Sequence, residues 1–166
     1  MLKRSFPPVV APNTRLLILG SLPGDRSLAE ARYYAHPQNQ FWRLLSPVVG
    51  RDLPALGYED RLAALLARGI GLWDVVATAH RPGSTDAAIR DIAGNDLAAL
   101  AATLPDLRAN AFNGATAAKH GAPLLCEHPA PRITLPSSSP LHTIGLAAKQ
   151  PAWDALKPFV QGPPCR

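Results

Sequence analysis

Blocks of apolar residues recur along the chain, and their lengths and periods predict its elements. Arg15-Leu16-Leu17-Ile18-Leu19 is a short, nearly unbroken apolar run closed by Gly20, the pattern of a buried strand. Ile70 to Val76, Ala109 to Phe112 and Arg132 to Leu135 read as three more strands. The segments between them carry helical signals. Ser27 and Glu30 form an S-x-x-E capping box, which predicts a short helix from Ser27. Asn39 stands before a helix carrying Phe41, Trp42, Leu44 and Leu45, with Pro47 at its end. Tyr58 to Arg68 places Leu62, Leu65 and Leu66 on one face and stops at Gly69. Asn95 is expected to cap a helix running to about Thr103, before Pro105. Ala115 to His120 reads as a helical turn. Pro151 is expected to open a last helix through Phe159, with Trp153, Leu156 and Phe159 facing inward.

Strands that alternate with helices argue an α/β fold with a mainly parallel sheet of about four strands. Residues 15–160 read as a single domain, preceded by an irregular proline-containing arm over 1–14 and followed by a tail over 161–166. No internal repeat or linker divides it. The polar loops 20–26, 77–86, 113–114 and 136–140 each follow a predicted strand. In open α/β sheets the carboxyl ends of the strands carry the ligand site, so these four loops are expected to share one rim.

Composition narrows the classes. A chain of 166 residues that is 47% hydrophobic and 17% charged can bury a substantial core. The net charge of +5 favours an anionic partner such as nucleic acid, or is simply the basic bias of the proteome. The two cysteines, Cys126 and Cys165, can build neither a disulfide framework nor a four-cysteine metal site, and they fit a reducing cytoplasm. His80, His120 and His128 lack metal-ligand spacing, so no metal is expected. Pro7 and Pro8 interrupt any apolar helical segment near the start, and no run approaches the length needed to span a membrane. Neither a signal peptide nor a membrane partner is therefore expected.

The candidate chemistry concentrates between Leu19 and Trp42. Gly20-Ser21-Leu22-Pro23-Gly24 is a strand-to-loop glycine pair, but not a Walker loop or a dinucleotide fingerprint; taken alone it is a tight turn. Tyr33-Tyr34-Ala35-His36-Pro37-Gln38-Asn39 puts aromatic faces beside amide and imidazole groups, equipment for gripping a planar heterocycle. Equally, one tyrosine can pack in the core while Asn39 only caps a helix. Asn113, between Phe112 and Gly114, is either an amide placed to read a base edge or part of an Asn-Gly turn. Pro136-Ser137-Ser138-Ser139-Pro140 offers hydroxyls and backbone N–H groups suited to phosphates, or is a stiff serine loop. His142 follows it as a weak base or phosphate contact.

In combination, GSLPGDRSL, YYAHPQNQFW, GLWDVV with RPGSTD, FNG and LPSSSP resemble the uracil-DNA glycosylase superfamily, nearest its hypoxanthine-DNA glycosylase branch. The similarity runs from about Leu16 to Trp153. It implies a central parallel four-stranded sheet flanked by helices. It also implies a cofactor-free, monofunctional enzyme that flips a deaminated base, hypoxanthine or uracil, out of DNA and hydrolyses its N-glycosidic bond to begin base excision repair. Related branches carry an Asp or Asn two residues after the first glycine to position the attacking water; here Leu22 stands there. The resemblance transfers that role to Asn39. It makes Tyr34 the stacking partner of the flipped base and Asn113 its reader, with Ser21, Leu22, Pro23 and His36 as further base contacts. Pro136, Ser137, Ser138, Ser139, Pro140, Leu141 and His142 would pinch the DNA backbone, with Leu141 or Pro140 as wedge, and Ser84 would join them from the 77–86 loop. A monomer acting on DNA is expected. Two other readings remain open at this level: a DNA-damage binding module without catalysis, and an N-glycosidase acting on free nucleosides.

Overall fold

The computed structural model describes residues 2–84, 86 and 89–160. The predicted tail, 161–166, lies outside them. The strand read from residues 15–19 is β2, Leu16–Gly20, and all five of its residues are buried. It lies inside a four-stranded parallel sheet with β3 (Ile70–Asp74), β6 (Ala109–Asn113) and β7 (Arg132–Leu135), in the order β3-β2-β6-β7. Helices cover both faces, so a central strand has no solvated side and reads as continuous apolar sequence rather than alternation. Alternate residues of β2 feed two cores. Leu16 and Ile18 face a cluster with Phe41, Leu44, Leu45, Leu65 and Trp153. Leu17 and Leu19 face one with Leu97, Leu104, Phe112 and Leu125. The helices are α1 (Asp25–Glu30), α2 (Phe41–Val49), α3 (Tyr58–Ala67), α4 (Leu97–Ala102), α5 (Ala115–Gly121) and α6 (Leu146–Asp154).

The α/β class and the parallel four-stranded sheet agree with the sequence reading, but a second sheet does not appear in it. β1 (Leu2–Arg4), β4 (Val76–His80) and β5 (Arg90–Gly94) pair antiparallel in the order β1-β4-β5. The 1–14 segment is thus not wholly irregular: it supplies β1, and Val9 bridges Leu72. The 77–86 loop likewise begins as strand. Neither carried a period-2 signal, because β1 buries only Lys3 and β4 buries Val76 and Ala79, three positions apart. Their pairing is decided by partners far away in sequence.

Several helix ends also differ. Helix α1 starts at Asp25, and Ser27 forms no capping box; its hydroxyl is buried and accepts from Ala35 N–H at 3.0 Å. Helix α2 continues through Pro47 to Val49 and closes at Gly50, whose φ is +78°. Its buried face, from Phe41 to Val49, offsets the one backbone bond that proline removes. Asp96, not Asn95, caps α4, accepting from Ala99 N–H at 3.0 Å. The Asn95 amide donates instead to the Asp74 carbonyl at 2.7 Å and to Ser5 Oγ at 3.2 Å. Helix α6 begins at Leu146 and contains Pro151, while Leu156 and Phe159 follow its end.

Trp153 joins this core to the serine loop. It is fully buried, meets Phe41 edge-on at 5.8 Å, and its Nε1–H donates to the Pro136 carbonyl at 3.0 Å. Trp153→Phe keeps an aromatic ring but loses that donor. We expect a cost of about 1–3 kcal/mol in a urea melt, from an unpaired buried carbonyl and lost volume. An unchanged midpoint would contradict the anchoring role of this bond.

Candidate active site

The carboxyl ends of β2, β3, β6 and β7 all point to one rim, as expected of a parallel sheet. There the Gly20–Gly24 loop, Asp74, Asn113 and the serine loop line a single cavity of about 840 Å³. Tyr34, His36 and Asn39 enter it from the connection between α1 and α2, and Ser84 and Asp86 from the loop after β4. Leu141 and His142 stand at its edge. Of the residues singled out from sequence, only Pro136 does not line it; its carbonyl is turned to Trp153.

Both tyrosines border the cavity, but in different settings. Tyr33 is core: it is buried, meets Phe6 edge-on and donates its hydroxyl to the Pro7 carbonyl at 2.9 Å. Tyr34 lines the cavity from a left-handed backbone conformation, φ +53°. That is a costly geometry for a bulky residue, and it occurs most often where a side chain must be aimed. One ring face stacks on Phe41 with centroids 3.7 Å apart and planes 13° apart. Burial pushes the Tyr34 hydroxyl well above its ordinary pKa, assisted by the nearby charge of Asp74, so it remains a hydrogen-bond donor.

Asn39 is half-buried. Its Oδ1 accepts from Phe41 N–H at 3.0 Å, a turn that leads into α2, where Gln40 is the cap residue. One lone pair of Oδ1 is therefore engaged and one is left. Gln40 is fixed on both sides: its N–H donates to the Ser138 carbonyl at 2.9 Å, and its Oε1 accepts from Lys149 at 2.8 Å. Lys149 is fully buried without a carboxylate partner and also donates to the Ser139 carbonyl. Burial lowers its pKa. The Asn39 segment, the serine loop and α6 are thus one assembly.

Asn113 is buried and committed to that loop. Its Oδ1 accepts from Ser138 N–H at 2.9 Å, while its Nδ2 donates to Ser138 Oγ at 2.9 Å and lies 3.4 Å from the Tyr34 hydroxyl. Ser138 is buried by this pairing. Ser137 and Ser139 remain partly exposed, and their hydroxyls accept from the N–H groups of Ser139 and Leu141. Leu141 is 62% exposed at the loop tip and Ile144 is 52% exposed nearby.

The Gly20–Gly24 loop is shaped by a buried guanidinium. Arg81 donates to the carbonyls of Leu22 at 3.2 Å, Pro23 at 2.6 Å and Gly83 at 3.0 Å, and pairs with Asp86 at 3.3 Å. Ser21 donates its hydroxyl to Asp86 Oδ2 at 2.6 Å. The carbonyls of Leu22 and Pro23 are therefore occupied, and the Leu22 side chain packs with Val76 and Ala79. Ser84 Oγ accepts from Asp25 N–H at 2.9 Å. Lys3 of β1 adds an ion pair to Asp25 and a bond to the Gly83 carbonyl. Gly20 has no room for a side chain: a Cβ there would stand 2.6 Å from Asp74 Oδ1 and 3.2 Å from the Tyr34 hydroxyl. Among the described residues, no group of three or more His, Cys, Asp or Glu side chains is placed to hold a metal ion, and no helix is long and apolar enough to cross a membrane.

A sequence model of the uracil DNA glycosylase superfamily matches residues 7–157, most of the chain. The chain belongs to the uracil DNA glycosylase superfamily. Within that superfamily it is similar to a hypoxanthine DNA glycosylase of Methanosarcina barkeri (strain Fusaro / DSM 804), with 47% identity over 114 residues, 69% of this chain and 72% of that protein. It is also similar to a hypoxanthine DNA glycosylase of Methanosarcina acetivorans, with 40% identity over 156 residues, 94% of this chain and 98% of that protein. A solution NMR structure from Methanosarcina acetivorans, provisionally described as a uracil DNA glycosylase, superposes with a TM-score of 0.86. It shares 40% identity and covers 95% of this chain and 97% of that one. Against the superfamily pattern, Leu22 brings no polar group to the first loop, because its side chain belongs to an apolar cluster. Two carboxylates line the cavity from other elements instead, Asp74 at the end of β3 and Asp86 beyond β4. Neither was assigned a role from sequence. The signal available was a lone acid ending the apolar run Ile70 to Trp73, at a strand end where sites form.

Proposed function

We propose that this protein is a monofunctional DNA glycosylase that excises hypoxanthine, with uracil as a second substrate base, from DNA. The observation that carries the reading is the convergence of Tyr34, Asn39, Asn113 and the serine loop on one cavity at the carboxyl rim of the sheet. Extrusion of the base costs a few kcal/mol, less at a mispair such as inosine. Stacking of the base on the Tyr34 ring, which lines the cavity, returns about 1–3 kcal/mol. Phosphate contacts at the partly exposed Ser137 and Ser139 supply the remaining affinity, and Leu141, with its exposed side chain, is the wedge that fills the vacated stack.

Cleavage of the C1′–N bond leaves an oxocarbenium-like sugar and an electron-rich base. Asn39 is too weak a base to take a proton near neutral pH. Its amide orients the attacking water, using the lone pair of Oδ1 that Phe41 does not occupy. Asn113 reads the base by exchanging its bonds to Ser138 for bonds to the ligand, so base entry and movement of the serine loop are linked. A wrong base leaves that amide unpaired in a dry pocket, and this penalty is the source of discrimination.

End-labelled duplexes carrying one deoxyinosine or one deoxyuridine, treated with the protein and then with alkali, test this reading. Strand breaks at deoxyinosine are expected, with slower or no breakage at deoxyuridine. Binding without breaks would instead make the protein a damage-recognition module, and activity on free deoxyinosine alone would remove DNA as the substrate.

A further inference from the structure

Asp74 is an acid of the cavity that the reading above leaves unused. It is 3% exposed, lines the cavity at the end of β3, and among the described residues its Oδ2 has no hydrogen-bond partner. The surrounding elements could have neutralised it and do not. Arg81, the buried cation of this region, spends its donors on three carbonyls and on Asp86. Asn95 meets only the backbone carbonyl of Asp74. Gly20 presses against Oδ1 without a side chain, and the Tyr34 hydroxyl lies beside the same spot. A buried carboxylate with one oxygen left without a donor is disfavoured, whereas a neutral carboxyl in the same place carries a proton to offer.

We propose that Asp74 is a base-contacting acid of this site: its carboxyl group donates a hydrogen bond to a ring nitrogen or carbonyl oxygen of the flipped base and passes its proton to that base as the glycosidic bond breaks. The inference rests on the glycosylase reading and adds a catalytic residue to it. The C1′–N bond breaks with its electron pair going to the base, and the proton of Asp74 neutralises that pair. Water, oriented by Asn39, adds through oxygen to C1′, and its surplus proton returns to the Asp74 carboxylate through solvent. One water is consumed, free base and an abasic sugar are formed, and the acid is restored.

The electrostatic surroundings agree. Burial, and next the charge of Asp86, raise the Asp74 pKa from 3.8 to about 7, against an opposing pull from Arg81. The other titratable groups that interact with it, the Tyr33 and Tyr34 hydroxyls, are themselves pushed upward and stay neutral. The proton is therefore present and transferable near neutral pH, where an acid catalyst works best.

Single-turnover cleavage of a deoxyinosine duplex, followed from about pH 5.5 to about pH 9 for wild type, Asp74→Asn and Asp74→Ala, tests the proposal. The Asp74→Asn variant keeps a donor but cannot release a proton, so it retains a fraction of the rate, and the ratio of wild type to Asp74→Asn falls as pH rises through about 7. Asp74→Ala falls at least about tenfold below Asp74→Asn at low pH, with unchanged affinity for undamaged duplex. If Asp74→Ala does not fold, the ratio for Asp74→Asn decides alone. A ratio that is flat or rises with pH, or an Asp74→Ala rate equal to wild type, overturns the role of Asp74 while leaving the glycosylase reading intact. A wild-type protein that cleaves neither deoxyinosine nor deoxyuridine DNA at any pH overturns both.

Discussion

Asn39→Ala is expected to slow base excision by at least about 100-fold while leaving affinity for deoxyinosine DNA within a few-fold of wild type. The side chain is half-buried at the cavity, and one lone pair of its Oδ1 is free once Phe41 N–H is satisfied. Its loss would remove the proposed holder of the water, but none of the proposed stacking on Tyr34 or contacts of the serine loop. The same substitution removes a helix-entry hydrogen bond, worth about 1 kcal/mol. Asn39→Ser separates the two effects. A serine hydroxyl can accept the same bond from Phe41 N–H, so stability recovers, but it is too short to satisfy Phe41 N–H and reach the water at once. Single-turnover rates beside gel-shift affinities and urea melts measure each part. If Asn39→Ser restores both stability and rate, Asn39 only accepts the helix-entry bond from Phe41 N–H and does nothing more.

The second large effect is on stability. At pH 8 the Asp74→Asn protein is expected to be more stable than wild type by roughly 2–4 kcal/mol, and the gain should vanish near pH 4. The sign follows from the direction of the shift. The folded protein holds the Asp74 proton more tightly than the unfolded chain does, with a pKa of about 7 against 3.8. The stabilisation from that proton is complete below 3.8, declines between the two values and is gone above about 7. Asparagine has the same shape and never ionises in the pocket, so it escapes that loss. Urea melts at the two pH values provide the measurement, and an equal gain at both would show that ionisation is not its source. A buried acid that weakens the fold at working pH fits a residue retained for chemistry rather than for packing.

How much was legible depended on how far each residue's partners lie along the chain. The run Leu16 to Leu19 read as a buried strand, and in the fold it is one, with both of its faces covered. The Gly20–Gly24, Asn113 and serine loops fell on one rim because parallel strands aim their carboxyl ends together. The small antiparallel sheet was hidden, since β1 pairs with the distant β4 through register Leu2↔His80, Lys3↔Ala79 and Arg4↔Thr78, without a hydrophobic stripe to announce it. Local cap rules failed where a tertiary partner took the same atoms. Ser27 turned to Ala35, and Asn95 turned to Asp74 and Ser5.

The sequence by itself determined the α/β alternation, the strands of the main sheet, the loops of the rim and the family, because these rest on periodicity and on motifs that are contiguous in the chain. The tertiary structure alone decided that Tyr33 is buried and bonded to Pro7 while Tyr34 stacks on Phe41 at the cavity. It also showed that Asn113 is latched to Ser138, that buried Arg81 shapes the first loop, and that Asp74 Oδ2 has no hydrogen-bond partner among the described residues. The physical reason is common to all four. Desolvation and hydrogen-bond satisfaction are set by what surrounds an atom in space, and those surroundings come from segments far apart in the chain.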